Sequence, residues 1–331
     1  MNSEFKIGYC PSSIFDGADV LRFAKKIDKN DMIDSIWIPE SWGREAFVML
    51  GAISQVTRRI NLGTSILNIF SRTPATVAMA ASTLDNISSN RSMIGLGAST
   101  PILVRNWHGL EFKSPLLRMK EFLECFKEII TGRTVNYNGK FFSVNDFKLM
   151  HPSPRKSIPL LLAAVNKGMI NLATKVADGI ILYLRPREEL NKVVDEIHRN
   201  VIGRKNFQIS CVFITSISQQ YPDLASDRAA MTIAFYVAVG KYYGDFLSKN
   251  GFENEVESIK LAYVKDGIGA ARKFVTDKML NSLAIHGDCE KGAKMLNKFI
   301  QTGISYPILQ INPVANPASS IKDALVLTSY V

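Results

Sequence analysis

The chain has 331 residues, 47% of them apolar and 21% charged, which is enough apolar material to bury a sizeable core and excludes a disordered or fibrous protein. Lys and Arg number 40 against 30 Asp and Glu, so the net charge is +10 and the pI is near 9.3, a balance that favours anionic partners. The basic residues are scattered, the densest pairs being Lys25-Lys26 and Arg58-Arg59, and no basic run of the kind found in nucleic-acid binders is present.

In chain order, short β-branched runs alternate with segments of helical period, which predicts β-α units around a parallel sheet. The first strand is expected from Phe5 to Cys10, with a helix from Ala18 to Lys29. A second strand from Ser35 to Pro39 leads to a helix from Ala46 to Thr57, and a third from Ile60 to Ile66 to a helix from Thr76 to Ile87. The fourth, Ser92 to Leu96, precedes a helix from Leu116 to Ile130. The fifth, Ile158 to Leu162, and sixth, Gly179 to Tyr183, precede helices from Lys167 to Ala177 and Glu188 to His198. Phe207 to Phe213 and Tyr306 to Ile311 complete a set of eight. Eight such repeats without a linker predict one α/β domain over residues 1–331, a (β/α)8 TIM barrel of the kind whose chemistry sits on the loops after the strands. Two segments exceed the minimal repeat. Around 134–150, Tyr137-Asn138-Gly139-Lys140 reads as an Asn-Gly hairpin turn, and 224–279 reads as a helical insertion that forms either a substrate wall or a layer for association.

Cys10, Cys125, Cys211 and Cys289, like the four histidines, lie far apart. No metal-ligand or redox spacing is present, so reduced, mostly buried thiols and no metal are expected. The longest uncharged apolar stretch, near Ile158 to Val165, is far short of the roughly 18 residues of a spanning helix. No signal-peptide core is visible, and a cytoplasmic protein without a membrane partner is expected.

Past the second strand, Glu40-Ser41-Trp42-Gly43-Arg44 puts a carboxylate, an indole and a guanidinium where barrels keep their sites. The alternative is a loop in which Glu40 pairs with Arg44 and Trp42 fills a gap. Gly95-Leu96-Gly97-Ala98-Ser99 is not a dinucleotide fingerprint, because Thr100 holds the third glycine position. Its small residues leave room for a ligand edge or make a tight turn. In Asn61 to Pro74, the proline can sit in the first turn of a helix.

The stretch Ile60 to Gly97, INLGTSILNIFSRTPATVAMAASTLDNISSNRSMIGLG, resembles the central part of the luciferase-like monooxygenase superfamily, and in particular its branch that uses the deazaflavin coenzyme F420. Glu40 to Arg44, Trp107-His108-Gly109, Gly132 to Gly139, Pro159 to Ala164 and Ala177-Asp178-Gly179 are similar to further landmarks of that branch, in the same order. The resemblance implies the same (β/α)8 fold, of the bacterial luciferase-like type. It also implies a strand-three bulge with a cis Ser65-Ile66 bond behind the deazaflavin ring, with Asn68 nearby, and an acidic ring contact at Glu40. Backbone contacts are implied at Ala98 and Ser99, and a phosphate site at Val165, Asn166, Gly168 and Met169, where helix amides offer free donors.

Two positions depart from the glucose-6-phosphate dehydrogenases of the branch. Ser41 replaces a histidine and Thr100 an acidic residue, so the bases that sugar oxidation would use are missing. The resemblance therefore implies a reductase that moves a hydride between F420 and an organic acceptor, similar to methylenetetrahydromethanopterin reductases. Glu40 is the catalytic candidate, and Trp42, Arg44, Trp107 and His108 are candidate substrate walls. The alternatives are an FMN-dependent monooxygenase and a non-enzymatic barrel that has lost its cofactor. The substrate is expected to be a small molecule, and the protein a homodimer or higher homo-oligomer.

Overall fold

The computed structural model describes residues 6–330; Phe5, the expected start of the first strand, lies outside them. The eight expected strands are present as β1 (Ile7–Pro11), β2 (Ile33–Ile38), β3 (Asn61–Thr64), β4 (Ser92–Gly97), β5 (Leu160–Ala163), β6 (Gly179–Tyr183), β7 (Gln208–Ile217) and β8 (Tyr306–Ile311). The six expected helices are Gly17–Ile27, Ala46–Val56, Pro74–Ile87, Pro115–Ile130, Lys167–Val176 and Arg187–Asn200. A further helix, Pro101–His108, has no counterpart among the sequence expectations. All four cysteines are free and buried. Among the described residues no helix is long and apolar enough to cross a membrane.

The chain forms two compact units. One comprises Ala24–Ile181 and Arg204–Gln208; the other holds the described residues up to Phe23, Leu182–Gly203 and the described residues from Ile209 onward.

In the Ala24–Ile181 unit, β2 to β6 run parallel in chain order. Strand β2 is buried at every position but Asp34, as a strand covered on both faces requires. Trp37 on this strand is fully buried, and a Cβ on Gly63 would stand 2.2 Å from its ring, so the glycine in β3 makes space for the indole. Beyond Gly63 the ladder slips. Gly63 is level with Met93, whereas Leu67 in the short strand Leu67–Asn68 is level with Leu96. Four steps on one strand face three on the other, which is a bulge. Thr64 bridges it, its Oγ1 donating to the Gly95 carbonyl at 2.9 Å and accepting from the Gly95 amide at 2.8 Å. The Ser65-Ile66 peptide bond inside the bulge is cis, as the resemblance implies.

The segment expected to carry an Asn-Gly turn is a hairpin, Val135–Asn138 with Ser143–Phe147, but the turn is longer than the two residues expected. The Gly139 amide donates to Phe142 O at 2.8 Å. The buried carboxylate of Glu121 accepts from the amides of Lys140 at 3.0 Å and Phe141 at 2.7 Å. A Cβ on Gly139 would lie 2.5 Å from Glu121 Oε2, so close approach of that carboxylate, not a left-handed backbone, calls for the glycine.

In the other unit, β8 lies between β1 and β7, all parallel. The insertion forms the helices Pro222–Val239, Lys241–Leu247, Glu253–Asp266, Ile268–Ala271 and Asp277–Leu283, which share one apolar cluster. The strand Ala284–Gly287 then pairs with the end of β7. On it, His286 is buried, with Nδ1 2.8 Å from Ser226 Oγ and Nε2 3.1 Å from Asn281 Oδ1.

Burial, helped by the charge of Lys291, pushes the pKa of His286 down to about 4, so the folded state favours the neutral ring. Between about pH 6.5 and 4 the unfolded chain therefore binds a proton that the folded chain does not, and stability falls as pH falls. By pH 4 this amounts to about 3 kcal/mol. Thermal melts of wild type and His286→Gln across that window should show a smaller acid loss in the variant; equal losses would assign the effect to other groups.

Candidate active site

Three loops meet at the carboxyl ends of β2, β3 and β4, each built from local hydrogen bonds. After β3, Asn68 Oδ1 accepts from the Phe70 amide at 2.9 Å, and Ser71 Oγ donates to Asn68 O at 3.1 Å. Thr73 then caps the next helix by accepting from the Thr76 amide at 3.2 Å, and Pro74 occupies its first turn. This tight path carries Arg72 towards β2. After β4, Ser99 has a φ of +60°, and Thr100 caps helix Pro101–His108 by accepting from the Leu103 amide at 3.4 Å. Thr100, noted in the sequence for breaking the glycine fingerprint and for lacking an acid, is thus a helix cap.

Glu40 pairs not with Arg44 but with Arg72, which corrects the alternative drawn from the sequence. Arg72 Nε donates to Glu40 Oε1 at 3.1 Å and its terminal nitrogen to Oε2 at 2.8 Å, while Oε2 also accepts from the Ala46 amide at 3.0 Å. The same terminal nitrogen of Arg72 contacts Glu45. The side chains of Glu40 and Arg72 are only 15% and 18% exposed. Burial opposes the charge of Arg72, but the hydrogen bond and charge of Glu40, with Glu45, outweigh it and raise its pKa. A forked guanidinium on a carboxylate fixes both groups more firmly than a single contact would. Sequence reasoning missed Arg72; the indication was an arginine directly before the Thr-Pro helix start.

Around this pair lies an open cavity of about 550 Å³ lined by Glu40, Trp42, Arg44, Ser71, Arg72 and His108 among others. Trp42 and Trp107 meet edge to face at 5.7 Å, so the four expected wall residues come together beside Glu40. The expected room at Gly95 and Gly97 is already filled. A Cβ there would stand 2.2 Å from Thr64 O and 2.5 Å from Ile66 Cδ1 respectively, so these glycines admit the bulged strand β3, not a ligand.

At the end of β5, Asn166 caps helix Lys167–Val176, its Oδ1 accepting from the Met169 amide at 3.0 Å. Of the expected phosphate donors, Met169 is therefore already engaged. Gly168 is exposed and its amide lies in the first turn, which has no intrahelical acceptor. A Cβ at Gly168 would meet only Asn166 Oδ1 and Leu116 Cδ2, both at 3.5 Å. Nothing in the protein's own packing demands a glycine in this helix, where it costs about 1 kcal/mol relative to alanine.

The second unit holds an aromatic group that sequence reasoning did not single out. Tyr183, at the end of β6, donates to Gln310 Oε1 at 2.7 Å and packs edge to face on Tyr236 and Tyr243 of the insertion. Burial, chiefly, holds the Tyr183 hydroxyl well above the usual phenol range, so it stays protonated.

Parallel strands alternating with helices, with the open cavity at the strands' carboxyl ends, define an α/β-barrel protein of the (β/α)8 class. The chain belongs to the luciferase-like monooxygenase family, whose model matches residues 8–306, and this places it among oxidoreductase enzymes. It is 27% identical over 295 residues to a 5,10-methylenetetrahydromethanopterin reductase of Archaeoglobus fulgidus, covering 86% of this chain and 87% of that one. The fold matches a coenzyme F420-dependent tetrahydromethanopterin reductase from Methanopyrus kandleri with a TM-score of 0.85 at 20% identity, over 99% of this chain and 97% of that one. It also matches an F420-dependent secondary alcohol dehydrogenase with a TM-score of 0.78 at 17% identity, over 99% and 98% of the two chains.

Proposed function

We propose that this protein is an F420-dependent oxidoreductase that moves a hydride between the deazaflavin and an organic acceptor, in the manner of a 5,10-methylenetetrahydromethanopterin reductase. Likeness to such a reductase over most of both chains supports the reaction class. The observation that carries the cofactor is Gly168, which opens the first turn of a capped helix at the end of β5 although no neighbour of its own chain needs the space. A helix start with a bare backbone fits a phosphate group.

When bound, the deazaflavin supplies a two-electron hydride carrier. The chain's part is to hold and orient it. The amides at Val165, Asn166 and Gly168, with the capped turn at Met169, would hold the phosphate, and Ala98 and Ser99 would hold the ring edge. Ser65, Ile66 and Asn68 would support the ring from the bulge. Glu40, fixed by Arg72, stands at the cavity wall, where Trp42, Arg44, Trp107 and His108 would orient an acceptor. Placing two reactants in one site converts a bimolecular step into an effectively unimolecular one.

The test is anaerobic mixing of the protein and reduced F420 with methylenetetrahydromethanopterin. Reoxidation of the deazaflavin in a single turnover without oxygen is the expected result. Turnover seen only with reduced FMN and oxygen would favour the monooxygenase reading.

A further inference from the structure

A second cavity, of about 400 Å³, opens in the same unit; it shares Ser71 and Arg72 with the first and is lined further by Phe70, Arg118, Phe141 and Phe142 with the hydroxyl residues Thr73 and Thr76. Arg118 differs from Arg72 in its surroundings. Arg72 has two carboxylates, whereas Arg118 makes no side-chain hydrogen bond or ion pair among the described residues, and its Nε is buried without a partner. Its guanidinium lies over three aromatic rings, 4.7 Å from the centres of Phe70 and Phe141 and 5.2 Å from that of Phe142. Rings satisfy the face of a guanidinium, while its donors point outward in the plane, where they match a carboxylate or phosphate.

The arrangement is built rather than incidental. Glu121, one turn along the helix Pro115–Ile130, spends both carboxylate oxygens on the hairpin amides of Lys140 and Phe141, which sets Phe141 and Phe142 over Arg118. The Glu121 carboxylate, whose charge favours that of Arg118, is thus committed elsewhere. Desolvation disfavours the Arg118 charge and lowers its pKa despite Glu121, as expected of a cation lacking its counter-ion.

We propose that this cavity is a binding site for a small organic anion, its carboxylate held by the Arg118 fork and its apolar or aromatic part lying along Phe70, Phe141 and Phe142. The anion can come from an acceptor that carries an aromatic acid or from the glutamyl tail of the cofactor, and both present the same carboxylate chemistry. The proposal rests on the Arg118 geometry and does not require the deazaflavin reading.

The test is calorimetric titration of the full chain with p-aminobenzoylglutamate and, separately, with γ-glutamylglutamate, neither of which contains a deazaflavin. Saturable binding of either probe, weakened tenfold or more in Arg118→Gln and partly restored in Arg118→Lys, is expected. Preference for the first probe assigns the site to an acceptor, and preference for the second assigns it to the cofactor tail. Should Arg118→Gln fail to fold, wild-type crystals soaked in the preferred probe should show its carboxylate on Arg118. No saturable binding of either probe at millimolar concentration, equal affinity in a folded Arg118→Gln protein, or a soaked probe seated away from Arg118 would overturn the proposal.

Discussion

Gly168→Leu should weaken deazaflavin binding a hundredfold or more while leaving the fold intact. The Cβ fits, since its closest neighbours would be 3.5 Å away, and the remaining side chain would project where the phosphate approaches the first-turn amide. A hundredfold loss corresponds to about 2.7 kcal/mol of binding energy. Gly168→Ala should separate the two effects by sign. It replaces a helical glycine with the best helix former, which gains up to about 1 kcal/mol of stability, yet it still crowds the phosphate. Higher melting temperature with lower affinity is the expected combination, read by thermal melts and fluorescence titration. Unchanged affinity in both variants would put the phosphate elsewhere.

Glu40→Gln should slow single-turnover oxidation of reduced F420 about a hundredfold, a barrier increase of about 2.7 kcal/mol. The amide keeps the shape of the side chain and removes its charge. Because Glu40 accepts two hydrogen bonds from Arg72 and one from Ala46, the change also weakens a mostly buried, charge-assisted pair. A stability loss of about 1 to 2 kcal/mol is expected, more than an exposed pair with Arg44 would produce. Arg72 retains Glu45, so the loop should keep its path and cofactor affinity should change little. A wild-type rate in a folded Glu40→Gln protein would remove Glu40 from the reaction.

The strands were legible because strands of a parallel sheet are buried on both faces and read as short apolar runs, as in β5 and β6. Long helices were legible from their period. Helix Pro101–His108 was not, since it has eight residues and buries only Val104, which leaves almost no apolar stripe to detect. The Glu40–Arg72 pair joins residues 32 apart on two different loops, and nothing local in either loop identifies the partner. Glycines misled for a related reason. Gly95, Gly97 and Gly139 each make way for an atom of a distant segment, a demand visible only once the chain is folded. Gly168 has no such neighbour, and that contrast, at the start of a capped helix, is what supports the proposed phosphate contact there.

The most direct test of the central claim is to titrate the purified protein with F420 and, in parallel, with FMN, following quenching of each cofactor's fluorescence. The account predicts saturable binding of F420, at least tenfold tighter than that of FMN, and selective loss of the F420 signal in Gly168→Leu. Tighter binding of FMN, or no saturable binding of F420 by the folded protein, would contradict it.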